Sequence, residues 1–222
     1  MSHKVCIKCM IIGDNEALDD FMVGSCDMID IGHGFTQPAL DFDRIVPQPD
    51  IIRHAPSGDT GVLADRVRRG DWSLLRDPMF DDGPSDSVES FLTWLKGAEP
   101  GLTALAERSR EAFEQTGHGT RDSWRLAHWG STGNAQEFHV MSRNDRLLAV
   151  SFTTADHFPE PILRALAERH PELEFHGAGE HQTLHCDPDA YEVFGSPAAA
   201  QTQEPVAPTT APMASVTPLR AP

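Results

Sequence analysis

The chain is poor in several of the features from which function is most often read. It contains one tyrosine, and three lysines against 15 arginines. It has no Gly-x-Ser-x-Gly elbow, no glycine loop of the kind that cradles phosphate and no HExxH pair, so the common signatures of nucleophilic, nucleotide-dependent and zinc-dependent catalysis are missing. No run is long and apolar enough to span a bilayer, and the opening MSHKVCIKCM lacks the apolar core of a secretion signal. With that beginning, the four cysteines (Cys6, Cys9, Cys26 and Cys186) predict reduced thiols in a cytoplasm. Positive charge is scarce too. A net charge of -16 and a pI near 4.9 argue against free nucleic acid as a direct ligand. The only basic clusters, Arg66 with Arg68 and Arg69, and Arg108 with Arg110, are interleaved with acids and read as solvated helix faces. There is no internal repeat.

What is present is an alternation of strand and helix patterns at both ends of the body. Lys4–Ile12 reads as a strand, Asp14–Phe21 as a short helix capped by Asp14 or Asn15, and Cys26–Ile31 as a second strand. Leu147–Thr154 is apolar or small on both alternating faces, as a strand inside a sheet should be. Pro159 and Pro161 stop it. Pro161 suits the first position of a helix whose buried stripe is Ile162, Leu163, Leu166 and Ala167. Pro171 ends that helix, and Leu173–His176 returns as a strand, predicted parallel to Leu147–Thr154 in one sheet.

Between the two units, residues 34–60 are rich in proline, glycine and aspartate and read as an irregular excursion around Phe42, Ile45 and Val46. Three helical patterns follow at Val62–Arg69, Ser87–Lys96 (capped by Ser85 or Asp86) and Leu102–Gln115. Trp124–Gly130 then precedes a hairpin of Glu137–Ser142 and Leu147–Thr154 around Asn144-Asp145. Residues 196–222 hold six of the 17 prolines and no aromatic residue, which predicts a disordered tail beyond a single domain of residues 1–195.

This order predicts an α+β fold: a ferredoxin-like antiparallel sheet with two helices on one face, split by a mainly helical insertion over about residues 34–135. Three segments sharpen the prediction: Asp41–Pro49 (DFDRIVPQP), Ser123–Ala135 (SWRLAHWGSTGNA) and Thr154–Leu163 (TADHFPEPIL). In sequence and spacing they resemble the YubB ferredoxin-like domain proteins, which are carried by phages, plasmids and integrated elements. The resemblance covers most of residues 4–178. It implies an accessory protein of a mobile element, acting on a host or phage protein. The chain departs from the family pattern where two tryptophans are usual, at Gly133 and Asp156. Their joint loss implies that the two indoles normally pack together.

Candidate chemistry is sparse, and no catalytic residue and no cofactor is predicted. Cys6 and Cys9 are three apart on a predicted strand, so their sulfurs point to opposite faces and cannot chelate together. His176, His181, His185 and Cys186 fall within eleven residues and are the one set of natural zinc ligands close in sequence, although Gly177 and Gly179 leave the geometry loose. They support the competing reading, a metal-dependent enzyme. Asp81, Asp82, Asp86 and Glu89 lack the spacing of a calcium loop. Gly32-His33-Gly34 and Gly117-His118-Gly119 read as exposed turns. The polar-aromatic set His128, Trp129, Gly130 and Thr132 is the candidate binding site, with a core role for the tryptophan as the ordinary alternative. The leading expectation is thus a non-catalytic protein-binding module whose partner is a protein and not a membrane. The acidity leaves a third reading open, an inhibitor that mimics DNA to occupy a DNA-binding protein, although acidity often serves solubility alone.

Overall fold

The computed structural model describes residues 4–181 and 192–194. Strands β1 (Lys4–Ile12), β4 (Gln136–Arg143), β5 (Leu147–Ala155), β6 (Glu174–His181) and β7 (Glu192–Phe194) form one sheet in the order β4-β5-β1-β6-β7. Every neighbouring pair is antiparallel. Because β5 and β6 both run against β1, they are parallel to each other with β1 between them. With helices α1 (Asn15–Ser25) and α8 (Glu160–Arg169), this is the ferredoxin-like order, extended at one edge by β7.

The pleat decides which residues enter the core. On β1 the buried set is Val5, Ile7, Cys9 and Ile11, with half-buried Cys6, Lys8 and Met10 alternating between them. Register sets Ile7 opposite Phe152, Cys9 opposite Val150, and Ile11 opposite both Leu148 and Phe175. Leu18 and Phe21 of α1 and Ile162, Leu163 and Leu166 of α8 complete this cluster, with the Phe21 ring edge-on to Phe175 at 5.9 Å. Each such side chain, fully buried, contributes roughly 1.5–3 kcal/mol. Phe21, Trp129, Val150, Phe152, Leu163, Leu166 and Phe175 are all buried.

Everything between α1 and β4 is inserted. Strands β2 (Cys26–Gly32) and β3 (Phe35–Leu40) form a separate two-stranded hairpin. The strand expected at Cys26–Ile31 therefore exists but does not join the main sheet; β4 takes the edge beside β5. The Gly32-His33-Gly34 turn closes the hairpin with all three residues at positive φ. Helices α2 (Phe42–Ile45), α3 (Asp50–Arg53), α4 (Gly58–Arg69), α5 (Val88–Ala98), α6 (Pro100–Thr116) and α7 (Arg121–Trp129) follow, with two short 3-10 turns before α5. Ala64, Val67, Leu74, Phe80, Phe91 and Leu95 build a second apolar cluster there, separate from the one under the sheet.

Local chemistry accounts for most boundaries. Asp14 caps α1, accepting from the Ala17 N–H at 2.8 Å. Ser87, not Ser85 or Asp86, caps α5, with its hydroxyl accepting from the Ser90 N–H at 3.1 Å. Pro161 occupies the second helical position of α8, one residue later than expected. The basic cluster of α4 is neutralised where it stands: Arg66 pairs with Asp77 at 2.8 Å, and Arg68 and Arg69 both pair with Asp65. No helix among the described residues is long and apolar enough to cross a membrane. The expected disordered tail at residues 196–222 lies outside the described residues.

Candidate functional site

Helix α7 presents the polar-aromatic segment. Thr120 opens it with a reciprocal cap: its hydroxyl accepts from the Ser123 N–H at 3.1 Å, and the Ser123 hydroxyl accepts from the Thr120 N–H. Gly130 ends it at φ 72°. A Cβ at that position would lie 2.8 Å from Pro161 Cδ and 3.0 Å from the Phe158 carbonyl, so only glycine lets this turn seat against the start of α8.

Trp129 is 1% exposed. Its indole N–H donates to the Val46 carbonyl at 2.9 Å, and its ring meets Phe42 and Trp124 edge-on at 5.8 and 6.0 Å. It thereby fastens the 41–49 segment to the main core. His128 is exposed. Its ring stacks on Trp124 at 4.3 Å and faces His118 at 5.5 Å; partial burial and the His118 ring hold its pKa below 6.5. Thr132 turns its carbonyl to Arg125 Nη1 at 3.3 Å. Gly133 sits beside Ala155, with 3.8 Å between its would-be Cβ and that of the alanine. The two positions that depart from the family pattern, Gly133 and Asp156, are therefore close in space.

Next to Trp129 is a polar recess of about 320 Å³. Sequence reasoning missed it, although Asp41, Asp43, Gln48, Arg125 and Asn134 all lie in the two segments that carry the family resemblance. Asp43 is neutralised by Arg53 at 2.7 Å, and its other oxygen accepts from the Gln48 N–H at 2.6 Å. Asp41 accepts from Asn134 Nδ2 at 2.7 Å and from the Asp43 N–H at 3.0 Å. Arg121 donates to Ser57 Oγ at 2.5 Å and to the Arg53 carbonyl at 3.5 Å. Arg125 lies 4.8 Å over the Trp129 ring and donates to Gln48 Oε1 at 3.4 Å.

A different surface surrounds the hairpin. Met22 and Val23 of α1, Cys26 and Met28 of β2, Pro38 of β3 and Arg44 of α2 line an open apolar groove of about 360 Å³. Met28 is opposite Pro38 in the ladder, and Val23 and Met28 are 73% and 64% exposed. Ile29 and Phe35 add exposed apolar area to the same hairpin. Arg44 pairs with Asp27 at 2.7 Å and also donates to the Cys26 carbonyl.

The remaining sequence candidates are placed only in part. Cys6 and Cys9 occupy opposite faces of β1. Cys9 and Cys26 are buried, and burial pushes both thiols up to about 12, far from the thiolate range at neutral pH. His176 lies on β6 with Nε2 2.9 Å from the Glu174 carboxylate, though not aligned for a hydrogen bond. The His181 backbone pairs with Val5. His185 and Cys186 lie outside the described residues. Among the described residues no three His, Cys, Asp or Glu side chains are placed to hold a metal together.

Sheet order and packing thus define an α+β protein of ferredoxin-like architecture carrying an inserted hairpin and helical unit. No family model matches the chain, and no curated protein matches it. Among solved structures it is similar to protein Api92 from Yersinia pseudotuberculosis, assigned to the family model DUF1281, at 9% identity and a TM-score of 0.40; the likeness covers 88% of this chain and 95% of that one.

Proposed function

We propose that the chain is a non-catalytic protein-binding module that uses the hairpin groove to hold its partner. The observation that carries this reading is the concentration of exposed apolar side chains, Val23 and Met28 foremost, around an open groove with no described residue covering it. Isolated exposed apolar residues are ordinary, whereas several around one depression with a polar rim are typical of interaction surfaces. The elements forming the groove also specify its partner's charge. Helix α1 and strand β2 carry Glu16, Asp19, Asp20, Asp27 and Asp30 and no basic residue; Arg44 and Arg143 neutralise Asp27 and Asp19, and Glu16, Asp20 and Asp30 form no ion pair among the described residues. The fitting occupant is a protein that inserts an apolar side chain and surrounds it with lysine or arginine. The resemblance to mobile-element proteins supports an accessory role toward a host or element protein.

The test is affinity capture from cells that carry the gene, with wild type, Val23→Asp, Met28→Asp and, as control, Met79→Asp, which alters an equally exposed methionine elsewhere. The two groove variants should lose a protein that wild type and the control retain. Recovery of the same proteins with all four would refute the assignment. Retained binding at high salt by a partner without a basic surface would refute the charge argument.

A further inference from the structure

The polar recess beside Trp129 is distinct from the hairpin groove, and its chemistry is lopsided. Gln48 is 6% exposed, yet its Nε2 has no hydrogen-bond partner among the described residues. The Nε atoms of Arg121 and Arg125 are likewise buried and unpartnered. A guanidinium offers five N–H donors, and Arg121 and Arg125 each make two hydrogen bonds, all to neutral oxygens. Neither forms an ion pair with any described carboxylate. The two acids of the recess are already engaged, Asp43 by Arg53 and Asp41 by Asn134 and backbone. Asp122, next to Arg121 in sequence, accepts from the Gly58 N–H.

Unmatched donors in a native interior are uncommon, because each gives up its hydration without a hydrogen bond in return, at greater cost when charged. Here three such donors belong to residues that line one recess, and two of those residues are adjacent cations with no carboxylate in ion-pair contact. Burial and the neighbouring Arg121 disfavour the charged form of Arg125, and the nearby Asp122 and Asp43 carboxylates offset this only in part. A group that accepts hydrogen bonds and carries negative charge would answer all of these deficits together. We propose that the recess binds an oxyanion, the phosphate or carboxylate group of a small molecule, with Arg121 and Arg125 supplying charge and fork-shaped donors and Gln48 Nε2 a further donor. The volume of about 320 Å³ is ample for such a group.

The site stands on observations separate from those behind the protein-binding reading, and its test is separate. Full-length protein is titrated calorimetrically with inorganic phosphate and, independently, with acetate, holding ionic strength constant with chloride salt. One of the two should bind saturably, and which one does so names the group. Gln48→Glu changes the residue little in size and places a built-in carboxylate against Arg125. It should weaken anion binding at least tenfold without lowering the melting temperature of the anion-free protein. Amide NMR shifts induced by the anion should fall on residues 41–53 and 121–134. Absence of saturable binding by both anions up to ~10 mM would overturn the proposal. So would unaltered affinity in a folded Gln48→Glu, or shifts centred on another part of the chain. Should Gln48→Glu fail to fold, the NMR map on wild type decides alone.

Discussion

Trp129→Ala tests the packing on which the polar recess depends. The indole is fully enclosed, makes two edge-on aromatic contacts, lies under the Arg125 guanidinium and donates to the Val46 carbonyl. Truncating a buried tryptophan costs roughly 3–5 kcal/mol through lost transfer energy and the cavity left behind. About 1 kcal/mol of that belongs to the hydrogen bond, and more if the Val46 carbonyl is left without a donor. Domains of this kind have about 5–15 kcal/mol in total, so the variant should remain folded but with much of its margin gone. A drop of roughly 6–20 °C in melting temperature is expected for a chain of this length. Trp129→Phe keeps most of the ring contacts and removes only the donor, so it should cost about 1–3 kcal/mol. Urea unfolding followed by far-ultraviolet circular dichroism measures both. A Trp129→Ala variant within ~1 kcal/mol of wild type would show that the indole does not anchor the 41–49 segment, and the recess built on it would lose its support.

Two further predictions concern titration and reactivity. His128 is held below its ordinary pKa of 6.5 by partial burial and by His118, so the unfolded chain takes up the proton first. Stability from this group is therefore complete above pH 6.5, falls as pH drops through that value and levels off below the folded-state pKa. The loss of urea midpoint between pH 8 and pH 5 should be larger in wild type than in His128→Gln, and equal losses would contradict the assignment. Cys9 and Cys26, both with thiols pushed up to about 12, should resist iodoacetamide at pH 8 in the native protein and react on unfolding. Peptide mass spectrometry reads this directly, and native labelling of either cysteine at the rate of an exposed thiol would show that it is not buried.

Much of the fold was legible because it is written in local periodicity. The alternation on Lys4–Ile12, the two-faced apolar run at Leu147–Thr154 and the 3.6-residue stripe of Ile162, Leu163 and Leu166 each report a single element's burial, which side-chain spacing encodes directly. Glycine and proline marked turns for the same local reason. Other elements were missed where the local signal was weak or contradicted. Phe35–Leu40 contains Pro38 and the polar pair Thr36-Gln37, yet forms a strand because a two-stranded hairpin, in which each strand is an edge, tolerates a missing donor. Helix α7 is short and buries only Trp124 and Trp129, five apart, which is no helical repeat; its signal was the Thr120–Ser123 cap.

By itself the sequence determined the α+β class, the strands of the two flanking units and most of the buried residues, because hydrophobic burial within one element leaves a periodic trace in that element. Tertiary structure decided the partners. It sent Cys26–Gly32 into a separate hairpin and gave the sheet edge to β4, because strand pairing depends on which backbone edge is free rather than on a strand's own residues. It turned Trp129 inward, set Gly133 beside Ala155 and brought Gln48, Arg121 and Arg125 around one recess. Gln48 and Arg125 are 77 positions apart in the chain, and no local pattern records a convergence that only packing creates.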